Sequence, residues 1–216
     1  MKEFRKISVI GLGLIASSIC LTLRQKDPTI KLTGYDKDKI VRNRAKKIGL
    51  CKVESNLDNA VSGSQLIILC VPVGQMQAVT QRLKKIIEPG TTITDVGSVK
   101  LSVIEEIESN IESVGGKYVP SHPIAGTERS GPDAGYAGLF EGRWCILTPT
   151  KRTNKKALNS LETFWKFLGM QTKIMTPEHH DLVLAVTSHA PHLIAYTMVG
   201  LSLIHISEPT RPLYIS

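Results

Sequence analysis

Aromatic residues are scarce in this chain, at 5% of 216 positions, and they do not interleave with the basic ones. Single-stranded nucleic-acid binders need aromatic platforms beside their cations. The net charge of +8 is therefore read as suiting a polyanionic cofactor and an acidic substrate, and a nucleic-acid partner is not expected. Cysteine is sparse too: Cys20, Cys51, Cys70 and Cys145 form no C-x-x-C pair. That argues against a zinc site or a disulfide framework and for reduced thiols, with Cys20 and Cys70 inside apolar runs. No apolar run reaches the roughly 18–20 residues of a membrane span, and no signal peptide precedes a first strand near Lys6. The expectation is a cytoplasmic protein with no membrane partner.

What is present is ample for a core: 42% hydrophobic and 21% charged residues. Short apolar runs alternate with helical patterns. Strands are read at Lys6–Ile10, Lys31–Tyr35, 66–71, 91–95, 117–119, Trp144–Leu147 and 172–174. Helices are read at 14–24, 38–47, 75–87, 99–111 and 154–168, with a loop over 121–133. The continuous apolar run at 66–71 marks a strand covered on both faces. This alternation predicts an α/β, doubly wound, mainly parallel sheet of the Rossmann type over residues 1–175. From Thr176-Pro177-Glu178, a good helix start, a longer helical pattern runs over 176–201 as the opening of an incomplete helical domain. Residues 202–216 do not continue it, and Pro209 and Pro212 break any helix there. This final segment is expected to be atypical and foreign to the rest, and the helical domain truncated.

Gly11-Leu12-Gly13-Leu14-Ile15-Ala16 follows the first strand and opens the first helix. Gly11 permits a tight turn, Gly13 lets backbone approach a pyrophosphate, and Ala16 lets helix and strand pack closely. Asp36 ends the second strand, twenty residues beyond Ala16, where its carboxylate can accept ribose hydroxyls. The turn and Asp36 predict NAD. NADP is disfavoured by the Asp36 charge, which Lys37, Lys39 and Arg42 partly offset.

Two further segments end strands on the same edge. Ser98, in Val96-Gly97-Ser98-Val99-Lys100, suits a hydrogen bond to a ligand or catalytic group, or an N-cap for the following helix, and the two roles can coexist. His122 lies between Pro120 and Pro123 with Gly126 beyond. It reads as an acid–base histidine on a rigid loop, or as a structural one. Thr127 and Glu128 suit ligand orientation or a gate, and a solvated Glu128 is the plain alternative. His189 and His192 stand at i,i+3 near His179 and His180, but no third ligand is marked and no metal is expected; His189 equally suits a core position.

These motifs, in this order and with Ser188-His189-Ala190-Pro191-His192, resemble the prephenate dehydrogenases, with arogenate dehydrogenases as near relatives. The likeness spans about residues 5–200. The resemblance implies an NAD-dependent oxidative decarboxylation of prephenate to 4-hydroxyphenylpyruvate in tyrosine biosynthesis. It implies His122 as the group that takes the ring hydroxyl proton, and Ser98 as the residue orienting that group and the nicotinamide. It implies His192 as a substrate-binding histidine with His189 beside it, and a homodimer once the helical domain is complete. An arogenate dehydrogenase, or a nucleotide-binding fragment without turnover, are the alternatives. The exposed apolar face of a lone helix, with Leu182, Val186, Leu193 and Val199, is expected to favour self-association.

Overall fold

The computed structural model describes residues 3–207, apart from the side chains of Ser188, His189, His192 and residues 200–207. Six strands form one parallel sheet: β1 (Lys6–Ile10), β2 (Lys31–Tyr35), β3 (Lys52–Val53), β4 (Leu66–Leu69), β5 (Thr92–Asp95) and β6 (Lys117–Tyr118). Their order is β3-β2-β1-β4-β5-β6, so the winding reverses between β1 and β4. Both of those strands are parallel to their neighbours, with Val9 opposite Gly34 on one side and Ile68 on the other. A crevice at the carboxyl ends of the two strands follows from that reversal.

Helices cover both faces. α1 (Leu14–Lys26) and α6 (Lys155–Phe167) lie on one face, where Ile19, Leu23, Leu161, Phe164 and Trp165 are fully buried. α3 (Leu57–Val61), α4 (Met76–Leu83) and α5 (Leu101–Glu112) cover the other with Leu57, Met76, Leu83, Ile107 and Ile111. α2 (Lys39–Lys47) is mostly exposed, buries only Ala45 and is capped by Asp38, whose side chain accepts from the Ile40 N–H. Each fully buried Leu, Ile or Phe contributes about 1.5–3 kcal/mol, so this two-sided packing sets the position of the strand ends.

The sheet reading holds with one correction. Three strands form a second sheet, β7 (Ser121–Pro123), β8 (Trp144–Leu147) and β9 (Gln171–Ile174), in the order β7-β8-β9. β7 runs antiparallel to β8, and α6 carries the chain from β8 to a parallel β9. His122 is thus a strand residue opposite Ile146 rather than a loop residue. Prolines hid the strand, but β7 is at the edge of its sheet, where Pro123 leaves no ladder bond unmade. β3 and α3, of 2 and 5 residues, are too short for periodicity to reveal.

The helical segment also departs from one continuous helix. α7 (Pro177–Leu184) starts with the predicted cap, the Thr176 side chain accepting from His179 N–H. A π-helical turn at Ala185–His189 follows, then α8 (Ala190–Ser207). Pro191 lacks an N–H and its ring would crowd the carbonyl four residues back; a widened turn just before it relieves both. α8 continues past 201 to Ser207, because no proline precedes Pro209 in that stretch. Leu182, Val186, Leu193 and Val199 are all exposed, and so are Ile194, Tyr196 and Met198, so the exposed apolar surface is not confined to one face. Among the described residues no helix is long and apolar enough to cross a membrane.

Candidate active site

A cavity of about 350 Å³ opens at the reversal between β1 and β4, lined by Gly11, Gly13, Tyr35, Asp36, Cys70 and Val71 among others. A larger, more open hollow of about 460 Å³, bordered by Phe4, Glu88 and Thr92, lies at the opposite, amino-terminal ends of the strands. Open parallel sheets bind ligands at the carboxyl ends, so the smaller cavity is the candidate site.

Its geometry fits a dinucleotide. Gly11 has φ +90°, and a Cβ there would stand 2.6 Å from the Cys70 carbonyl oxygen. Its N–H donates to the Tyr35 carbonyl at 2.8 Å. Gly13 caps α1, and a Cβ built on it meets nothing within 4 Å, which leaves room for backbone to approach a phosphate. The first intrahelical bond is Ser17 N–H to Gly13 carbonyl, 3.0 Å. The N–H groups of Leu14, Ile15 and Ala16 therefore have no intrahelical acceptor, and the positive end of α1 faces the cavity mouth. Ala16 is fully buried, as its packing role requires. Asp36 fixes the turn: its Oδ2 accepts from Leu12 N–H at 2.8 Å and its Oδ1 from Asp38 N–H at 2.9 Å. Each oxygen retains a lone pair for a ribose hydroxyl. Arg42 donates to the Asp36 carbonyl at 2.6 Å and lies 5.6 Å over the Tyr35 ring. Gly11→Ala combines a strained φ with a backbone clash. It is expected to abolish dinucleotide binding or folding of this edge, read by dinucleotide titration; unchanged affinity would remove Gly11 from the site.

At the carboxyl end of β5 is a buried ion pair. Lys100 and Asp95 are both 0% exposed, and Lys100 Nζ donates to Asp95 Oδ2 and, at 2.8 Å, to the Ser121 carbonyl. Asp95 also accepts from Tyr118 OH at 2.7 Å and from Gly97 N–H at 2.9 Å. Burial and the Asp95 charge push the Tyr118 phenol well above its usual range, so it stays a donor. The Ser121 hydroxyl donates to the Asp95 carbonyl at 2.7 Å. These bonds lock the residue before His122 to the residues before Ser98.

His122 is 9% exposed. Its Nδ1 lies 2.9 Å from His180 Nε2, and the two rings meet edge to face at 5.1 Å. His180, on α7 and fully buried, has its Nδ1 2.7 Å from Asp181 Oδ1. Asp181 in turn accepts from Lys100 N–H at 2.8 Å and Leu101 N–H at 2.9 Å, the first donors of α5. Burial holds the His180 imidazole below its ordinary value despite the Asp181 charge. Burial opposes ionisation of Asp181, but the Leu101 N–H, His180 and the Lys100 N–H outweigh it and hold the carboxyl below its usual range.

The expected site residues thus separate. Gly11, Gly13 and Asp36 line one cavity with Leu14, Ile15 and Ala16 behind it. Ser98 is exposed on the turn between β5 and α5. It is not the cap: Lys100 holds that position, and Asp181 takes the helix-start donors. Thr127 and Glu128 are exposed and line a separate open hollow with Arg129 and Tyr136. The segment after them is pinned, since Arg44 Nε holds Asp133 at 2.8 Å and Gly135 packs against Ser17 of α1. The side chains of His189 and His192 lie outside the described residues. Sequence reasoning missed Asp95, Lys100, His180 and Asp181 as parts of this cluster. Asp95 and Lys100 bracket the Gly97-Ser98 motif, but nothing in their spacing says they pair.

The sequence pattern of the prephenate dehydrogenase nucleotide-binding domain matches residues 19–174. The chain belongs to the prephenate dehydrogenase family. The matched stretch starts beyond the 11–16 turn, so the fingerprint is an independent observation. The family's dimerization domain matches residues 176–211. A cyclohexadienyl dehydrogenase of Zymomonas mobilis is 41% identical over 202 residues, covering 93% of this chain and 68% of the relative. A Bacillus subtilis prephenate dehydrogenase is 34% identical over 96% of the chain, which spans 56% of that relative's length. Among solved structures, prephenate dehydrogenase from A. aeolicus, in complex with hydroxyphenyl propionate and NAD+, superposes with a TM-score of 0.87 at 32% identity. That match covers 97% of this chain and 73% of the other.

Proposed function

We propose that this chain carries the cofactor half and the catalytic base of an NAD-dependent dehydrogenase that converts prephenate to 4-hydroxyphenylpyruvate. The observation that supports this most is the position of His122. It stands at the carboxyl end of the sheet, tied through Ser121 to Asp95 at the end of β5, on the edge where the dinucleotide crevice opens. Bound in that crevice, an oxidised nicotinamide dinucleotide supplies the hydride acceptor for the ring carbon bearing the hydroxyl. His122 takes the proton of that hydroxyl and Ser98 orients the group. The ring carboxylate leaves as CO2, its bonding pair makes the ring aromatic, and the proton returns to the phenolate oxygen. The protein has chiefly to position and polarise, because aromatisation drives the step. Thr127, Glu128, His189 and His192 complete the substrate side. Residues 1–175 form the dinucleotide-binding domain, and 176–201 open a helical domain whose exposed Leu182, Val186, Leu193 and Val199 face pairs two copies.

The test is NADH formation on adding prephenate, with the product identified, by the chain joined to the C-terminal remainder of the Zymomonas relative. Tyrosine formed from arogenate at higher kcat/KM would favour the second reading, an arogenate dehydrogenase. That reading draws support from the relative named for cyclohexadienyl compounds, a class both substrates belong to. No turnover with either would leave a nucleotide-binding module.

Asp36 carries the cofactor preference. Losing hydrogen bonds to a charged group costs about 1.5–3 kcal/mol, so Asp36→Ala should weaken NAD roughly 10- to 100-fold and improve NADP relative to it. An unchanged NAD/NADP ratio in binding titrations would rule out the ribose role.

A further inference from the structure

We infer that His180 and Asp181 act as positioning residues that fix the proton of His122 on Nδ1, so that Nε2 is its basic nitrogen. This deepens the proposed reaction and rests on His122 being its base. A neutral imidazole has one donor and one acceptor nitrogen, and only the acceptor can take a proton. The bonds from α7 select between the two.

The selection runs one way along the three residues. Asp181 accepts two backbone N–H groups at the start of α5, where the helix dipole also favours a negative charge. As an ionised carboxylate it has only acceptors, so His180 Nδ1, 2.7 Å away, must donate. Among the described residues, the groups facing His180 are the Asp181 carboxylate, the Lys100 ammonium, the Asp95 carboxylate and the His122 ring. Lys100 and Asp95 are paired with each other, and with His180 0% exposed, burial favours its neutral form. Its Nε2 is then an acceptor, and His122 Nδ1 at 2.9 Å must be the donor. The lone pair of neutral His122 is left on Nε2. When His122 takes up a proton, the same bonds hold the imidazolium in place with the Asp181 charge one ring away. A carboxylate that orients a catalytic imidazole does this in hydrolytic triads; here a second imidazole is interposed, and both helpers come from the helical segment.

The measurement is the tautomer, read from imidazole 15N shifts in the 216-residue chain with labelled histidine, at a pH where both rings are neutral. His122→Asn and His180→Leu assign the signals. The expected result is His122 and His180 both as Nδ1–H tautomers. His180→Leu leaves Asp181 on the α5 start but removes the acceptor, so His122 should become a mixture of tautomers. In the chain completed with the relative's remainder, its kcat should fall on the order of 10²-fold with KM little changed. His122 seen as the Nε2–H form, or already mixed in the unmutated chain, overturns the inference even if no variant folds. An unaltered kcat in His180→Leu overturns it as well. No substrate is needed for the spectra. A chain with the expected tautomers and no prephenate turnover would sink the proposed reaction and leave the positioning intact.

Discussion

In the chain joined to the C-terminal remainder of the Zymomonas relative, His122→Asn is expected to cut prephenate turnover by about 10²–10⁴-fold, the range for loss of a positioned acid–base group, while dinucleotide affinity stays nearly unchanged. The separation follows from position. His122 sits on β7 and is not among the residues around the 350 Å³ crevice. Asn can still donate to His180 Nε2, so the buried contact survives, but it cannot accept the hydroxyl proton. The loss should appear in kcat and kcat/KM alike, as expected for an interaction made in the transition state. The pH–rate profile should also lose its histidine-like limb. Near-normal turnover would return His122 to a purely structural role.

The second large effect is on stability. Lys100→Met is expected to cost about 3–5 kcal/mol, because it leaves the Asp95 charge buried without its cation. Asp95 is 0% exposed, and the donors that remain, Tyr118 OH, Gly97 N–H and, at 3.4 Å, Ser121 N–H, carry no charge. The Ser121 carbonyl loses its Nζ donor at the same time. The urea midpoint should fall with little change in slope, and His122, one residue along, should lose its fixed position. An unchanged midpoint would show that the pair is not what holds β7 to β5.

The parallel sheet was legible because its signals are local. The apolar run at 66–71, the turn residues Gly11 and Gly13, and Asp36 just past the end of β2 each act within one strand–helix unit. The second sheet was not, since β7 has three residues, two of them His122 and Pro123, and is a strand only because β8 pairs with it. Ser98 shows the same limit. It sits where an N-cap is expected, yet Asp181, about 80 residues away, supplies the acceptors for the α5 start. Tertiary packing overrode a correct local preference. His180 and Asp181 follow a cap, Thr176, that was legible, and this explains why they are helical. Their approach to His122 depends on how α7 meets α5, which no periodicity encodes. Pro191 was visible in the sequence, but the π-turn that accommodates it was not.

The proposed reaction requires one edge of the sheet to bring the dinucleotide, Ser98 and His122 to the same substrate ring. The most direct measurement is a crystal structure of the chain with NAD+ and 4-hydroxyphenylpropionate. The predicted result places the pyrophosphate at the N–H groups of Leu14 to Ala16 and the ribose on Asp36. The phenol oxygen should lie within hydrogen-bond reach of His122 Nε2, with Ser98 beside it. A phenol bound away from His122, or a dinucleotide outside the crevice between β1 and β4, would contradict the account.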